Sequence, residues 1–274
     1  GALRDNTGGS SNTALGYLTL EENISGGRNL AVGFQALENP DTENDNLAIG
    51  YEALGGAVAG GEFNVAIGNY TLDALTSADQ CVAVGYNAGS AVTEGSGFTG
   101  VGFEAGLSTT TGQDNVYMGK TAGRGNTTGG RNIALGFASI YNADTESNNL
   151  AVGYSALGGS VAGGEYNVAI GNLTLDALTS ADSNVAIGYV SGSAVTTGGN
   201  NVAVGANSMQ ANTEGTHLIA LGKGALASSD TETHNLAIGF EALVTANSGA
   251  EYNVAIGNYS LDALTSGDYN VAVG

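Results

Sequence analysis

Three loops gather the side chains best suited to hold an ion: Asp41-Thr42-Glu43 with Asp45 close behind, Asp144-Thr145-Glu146, and Asp230-Thr231-Glu232. Carboxylate oxygens are the hard ligands that calcium prefers, which makes Asp41, Glu43, Asp45, Asp144, Glu146, Asp230 and Glu232 the calcium candidates. Neither the twelve-residue helix-loop-helix pattern nor the calcium-binding nonapeptide of β-helices accompanies them, so plain solvated loops are the competing reading. Catalysis has less to work with. Two histidines, His217 and His234, and one cysteine, Cys81, supply no set of nucleophile, base and orienting group. Gly100-Val101-Gly102 and Gly222-Lys223-Gly224 imitate a dinucleotide loop, yet each is a repeat glycine with no βαβ unit around it. No catalytic residue, cofactor or enzyme activity is expected. An enzyme cutting polysaccharide would need paired carboxylates facing one groove.

Two recurring side chains offer other chemistry. Tyr17, Tyr51, Tyr86, Tyr154 and Tyr189 each follow a glycine, where their rings would stack either sugars or one another. Asparagines such as Asn64, Asn167, Asn184 and Asn253 recur at one position, and stacked amides hydrogen-bond up and down a column. Five sequons, at Asn23, Asn69, Asn126, Asn172 and Asn258, matter only in a secretory host.

All of these residues are placed by a single repeated unit. A five-residue core of consensus Asn-apolar-Ala-apolar-Gly recurs sixteen times, closing at Gly16, Gly33, Gly50, Gly68 and onward to Gly274, with Asn first in thirteen copies and Ala central in fourteen. Twelve of the fifteen spacings are 17 residues and three are 18, which leaves no room for a separate catalytic domain. Apolar residues alternate within the core, the signature of a strand, and the third residue past each glycine is always Ala, Ser or Thr. The turn therefore reads as two short strands bent at Gly, followed by a polar return. Identical turns stack in parallel at about the 4.8 Å strand spacing. The alternation also suggests that bulky positions such as Val65, Ile67, Val168 and Ile170 point into the roll, while small neighbours such as Ala169 line a flat outer face that another copy of the chain would cover. Residues 1–274 form one array, and both ends fall inside the pattern, as in a window from a longer fibre.

A longer period overlies the short one. Each Asp-Thr-Glu loop precedes an 18-residue turn ending in Glu-aromatic-Asn, at Glu62, Glu165 and Glu251, and the next turn carries Leu-Asp-Ala-Leu-Thr-Ser. Duplication of a structural block explains this cassette, and a recurring ligand site is the sharper reading. With 26 acidic against 6 basic residues the net charge is −20, which repels phosphate backbones and anionic headgroups. No run approaches the ~20 apolar residues of a spanning helix. Nucleic acid and membrane insertion are accordingly not expected.

The cores Asn167–Gly171 and Asn184–Gly188, both NVAIG, together with Gly-Tyr-x-Ala-Leu at Gly50–Leu54, resemble the head repeats of YadA-type trimeric autotransporter adhesins, and similar repeats occur in bacteriophage tail and receptor-binding fibres. The resemblance runs the length of the chain, with turns longer than is typical there. It implies an all-β, left-handed parallel β-roll of sixteen turns in an intertwined or side-by-side homotrimer. The implied protein is a rigid shaft of an extracellular fibre, on a cell surface or virion, whose whole length supports attachment to a cell-surface receptor or glycan. The alternative is a monomeric β-solenoid binding a small ligand, glycan or calcium through its loops.

Overall fold

The computed structural model describes residues 1–159, 163–245 and 249–274. The chain forms two compact units, Gly1–Leu135 and Gly136–Gly274. The first holds eight three-residue strands: β1 (Thr13–Leu15), β2 (Leu30–Val32), β3 (Leu47–Ile49), β4 (Val65–Ile67), β5 (Val82–Val84), β6 (Thr99–Val101), β7 (Val116–Met118) and β8 (Ile133–Leu135). The second holds β9 (Leu150–Val152), β10 (Val168–Ile170), β11 (Val185–Ile187), β12 (Val202–Val204), β13 (Ile219–Leu221), β14 (Leu236–Ile238), β15 (Val254–Ile256) and β16 (Val271–Val273). Within each unit every strand pairs in parallel with the next one in sequence, so each unit is a β-solenoid, and no helix occurs among the described residues. Register follows the repeat: Ala48 opposes Ala66, and Val168, Ala169 and Ile170 oppose Val185, Ala186 and Ile187.

The two faces of the sheet are the reverse of the expectation. Ala66 and Ala169 are fully buried, whereas Val65, Ile67, Val168 and Ile170 are only half-buried and face outward. The lumen decides this. Leu37, Leu54, Leu72, Leu157 and Leu175, four residues past each repeat glycine, fill it and are almost wholly buried. Opposite them there is room for a methyl group and little more, so the strand turns its alanine inward and its branched residues outward.

The expected second strand is absent as well. Beyond the glycine the chain enters the left-handed region twice, at Gln35 and Leu37 (φ 53° and 47°) and at Glu52 and Leu54 (φ 51° and 50°). A non-glycine residue held there costs about 1–2 kcal/mol. It is compensated by burial of the leucine and by bonds between turns: Leu37 N–H donates to Ala53 O at 2.9 Å, and Glu52 N–H to Phe34 O at 3.0 Å. The repeat glycine itself has no substitute. Gly188 has φ +137°, and a Cβ there would stand 2.6 Å from the carbonyl of Gly205 in the next turn.

One level of the first unit is filled differently. Tyr117 takes the alanine position of β7 and Phe98 an asparagine position; both are fully buried and their rings meet edge to face at 6.0 Å. Room comes from glycine at the leucine positions, because a Cβ on Gly106 would lie 2.5 Å from the Phe98 ring and one on Gly123 2.5 Å from that of Tyr117.

Candidate functional site

The cassette loops fold around their glutamates. Glu43 Oε2 accepts the N–H groups of Asp41 (2.7 Å) and Thr42 (2.9 Å), and Oε1 reaches into the following 18-residue turn to accept Gly60 N–H at 2.7 Å. Glu146 repeats this with Asp144 (2.7 Å), Thr145 (3.1 Å) and Gly163 (2.6 Å), and Glu232 with Asp230 (2.8 Å), Thr231 (3.1 Å) and Gly249 (3.0 Å). The three glutamates are buried, and the three glycines carry φ values of 112°, 110° and 83°. Each glycine belongs to the turn with the extra residue, so the carboxylate gathers backbone donors that the insertion leaves off the ladder.

The same long turn is held from its other side. Glu62 N–H donates to Asp79 Oδ1 at 2.8 Å, Glu165 N–H to Asp182 at 2.7 Å, and Glu251 N–H to Asp268 at 2.9 Å. Asn69, Asn172 and Asn258 accept the N–H groups of Tyr51, Tyr154 and Phe240, each at 2.9 Å. Asp79, Asp182 and Asp268 were not singled out from sequence; the signal available was that every Asp-Thr-Glu loop precedes an 18-residue turn.

The calcium candidates do not converge. Glu43, Glu146 and Glu232 are engaged with backbone donors, Asp41, Asp144 and Asp230 are exposed, and Asp45 receives Arg28 in a bidentate pair at 2.6 and 2.5 Å that holds its carboxyl below the usual range. Among the described residues no group of three or more His, Cys, Asp or Glu side chains is disposed to hold a metal.

The asparagine column is a relay in which an amide such as that of Asn64 serves three partners. Asn64 N–H donates to Asn46 Oδ1 (2.9 Å), its Nδ2 to Ala78 O (2.9 Å), and its Oδ1 accepts Cys81 N–H (2.9 Å). Asn167 N–H donates to Asn149, Asn184 N–H to Asn167 and Asn253 N–H to Asn235, at 2.9, 3.0 and 2.9 Å. These side chains are buried, and they join turns rather than face a ligand. Cys81 interrupts the column; burial pushes its thiol up to about 11, which suits packing rather than nucleophilic attack.

Aromatic residues form an outer column. Tyr17, Tyr51, Tyr86, Tyr154 and Tyr189 are all exposed. Tyr17 stacks on Phe34 (5.5 Å), Phe34 on Tyr51 (5.1 Å), Tyr86 on Phe103 (5.4 Å) and Phe137 on Tyr154 (5.4 Å). In these pairs each ring spends at least one face on a neighbour. Of the sequons, Asn23 and Asn126 are fully buried, while Asn69, Asn172 and Asn258 are exposed.

An open groove of about 610 Å³ in the first unit is lined by Arg4, Asp5, Glu22, Ile24, Asn39 and Asp41, and another of about 640 Å³ runs past Glu22, Asp41, Thr42, Val58 and Gly60. Arg4 is paired within this region with Asp5 and Glu21. No known family model matches the chain, and no curated protein matches it significantly.

Proposed function

We propose that the chain is a shaft segment of a homotrimeric extracellular or virion fibre, a rigid left-handed β-roll that supports attachment of the whole fibre to a cell surface. The observation that carries this reading is the outward sheet face of each unit. Leu30, Ile49, Val82, Met118 and Ile133 in the first unit, and Ile219 in the second, are exposed beside the aromatic column. Contiguous apolar surface of this kind marks an interaction site in a soluble protein, and a face that repeats at every turn is matched best by the same face of another copy. The covering surface is thus the valine and isoleucine columns instead of the alanine column.

Two further points support a spacer over a ligand-binding rod. Acidic cassette side chains serve as backbone clamps, and the surface charge of −20 per chain keeps assembled fibres apart. Resemblance of the repeats to trimeric adhesin heads and phage fibres supports the extracellular setting. Sedimentation equilibrium at micromolar concentration tests the reading, with a mass of three chains expected. A folded monomer overturns it and favours the solenoid that binds a small ligand or glycan through its loops.

A further inference from the structure

The second unit brings the protein's two histidines into one column. His217 and His234 occupy equivalent positions one turn apart, with φ of 57° and 58°, so their side chains leave the backbone in the same direction. Both are exposed. Their rings lie parallel within 2°, with centroids 4.9 Å apart, and Tyr252 stacks on His234 at 4.8 Å. His234 Nδ1 lies 2.9 Å from Thr233 Oγ1, and that hydroxyl donates to Glu251 Oε1 at 3.1 Å. A hydroxyl has one proton to give, and here the carboxylate takes it. Nδ1 of His234 must then carry a proton and donate it to Thr233, which leaves the lone pair on Nε2. An imidazole anchored through one nitrogen by a polar chain ending in a carboxylate is the arrangement that orients metal-ligating histidines.

We propose that His217 and His234 form a two-imidazole site for a borderline divalent transition-metal ion, of which Cu(II) is the probe of choice. Imidazole nitrogen suits copper, zinc and nickel, whereas calcium takes oxygen, so this site is chemically distinct from the cassette loops. Two nitrogens bound to one ion at about 2.0 Å lie about 3 Å apart. Parallel rings with centroids 4.9 Å apart hold equivalent nitrogens farther apart than that. Binding therefore tilts the exposed rings toward each other by about 2 Å at their tips, and water completes the coordination shell. The proposal is independent of the fibre reading, since both histidines belong to one chain.

Copper(II) sulfate titrated into the full chain, followed by calorimetry and by electron paramagnetic resonance, tests this. The expected result is one high-affinity ion per chain with a signature of two imidazole nitrogens. His217→Asn and His234→Asn should each weaken binding by about tenfold or more while leaving the circular dichroism spectrum unchanged, because both side chains lie on the surface. Wild-type affinity in either variant, or a spectrum with a single imidazole, overturns the proposal.

Discussion

Both oxygens of Glu43 are already in use, one with two N–H groups of its own loop and the other with Gly60 of the next turn, so a substitution here acts on folding before it acts on any ligand. Glu43→Gln sets an amide donor against backbone donors and should cost about 1–3 kcal/mol in chemical denaturation. The exposed Asp41→Asn should change stability by less than about 0.5 kcal/mol, and calcium should stabilise neither the parent nor the variants. A calcium-dependent rise in Tm that Glu43→Gln removes would return the loop to ion binding. Asp73 lacks the backbone donors that Glu43 gathers. Its Oδ1 is buried with no partner, and burial, with the charge of Glu52 adding to it, pushes the carboxyl up to about 6 from a reference value of 3.8. Folding therefore disfavours the charged form: the penalty is complete above about 6, shrinks as the pH falls through that value, and vanishes below 3.8. Denaturation midpoints should rise on acidification across this window, and Asp73→Asn should raise stability at neutral pH while flattening the profile. The asparagine and aromatic columns were readable from spacing because each partner holds the same repeat position one period away. The glutamate clamp was hidden, since its partner is a glycine amide in the following turn and its only trace was the coincidence with an inserted residue.

At the scale of the elements, the level around Tyr117 shows how the lumen tolerates change. Alanine and leucine share the cross-section in most turns; here a tyrosine and a phenylalanine enter and Gly106 and Gly123 retreat. Tyr117→Ala should cost about 3–5 kcal/mol through the cavity it leaves. Gly123→Leu alone should also destabilise, because its Cβ would meet the Tyr117 ring at 2.5 Å. Together they restore the usual alanine and leucine pairing, at a site whose φ of 62° lies in the same left-handed region as the 47–52° of leucines at equivalent positions in other turns. The double variant should therefore be more stable than either single one, a coupling that a thermodynamic cycle measures directly. Additive losses would mean that the two positions do not share the lumen. Strand location and register were legible in the 17-residue period, but which face is buried was not. Alternation by two defines two faces without ranking them, and the ranking depends on a leucine reached through left-handed backbone that apolar patterning does not reveal.

For the whole molecule, inversion of the faces separates folding from assembly. Each turn is stabilised mainly by its neighbours, so an error in the lumen spreads along the unit, whereas an error on the outer face leaves the turns stacked. Ala169 is fully buried against this narrow interior, and Ile170 beside it is half-buried and points outward. Ala169→Leu should overpack the lumen and cost about 1–3 kcal/mol, seen as a lower Tm and as faster amide exchange in β10 and its partners β9 and β11. Ile170→Lys presents its charge to solvent in a single chain and should preserve the strand signal in circular dichroism. In a trimer joined through the valine and isoleucine columns, the same lysine is desolvated without a partner, a heavy penalty. Sedimentation should then show folded single chains where the parent sediments as three. If Ile170→Lys assembles like the parent while Ala169→Leu folds normally but fails to associate, the alanine column is the assembly face and the outward apolar columns serve another partner.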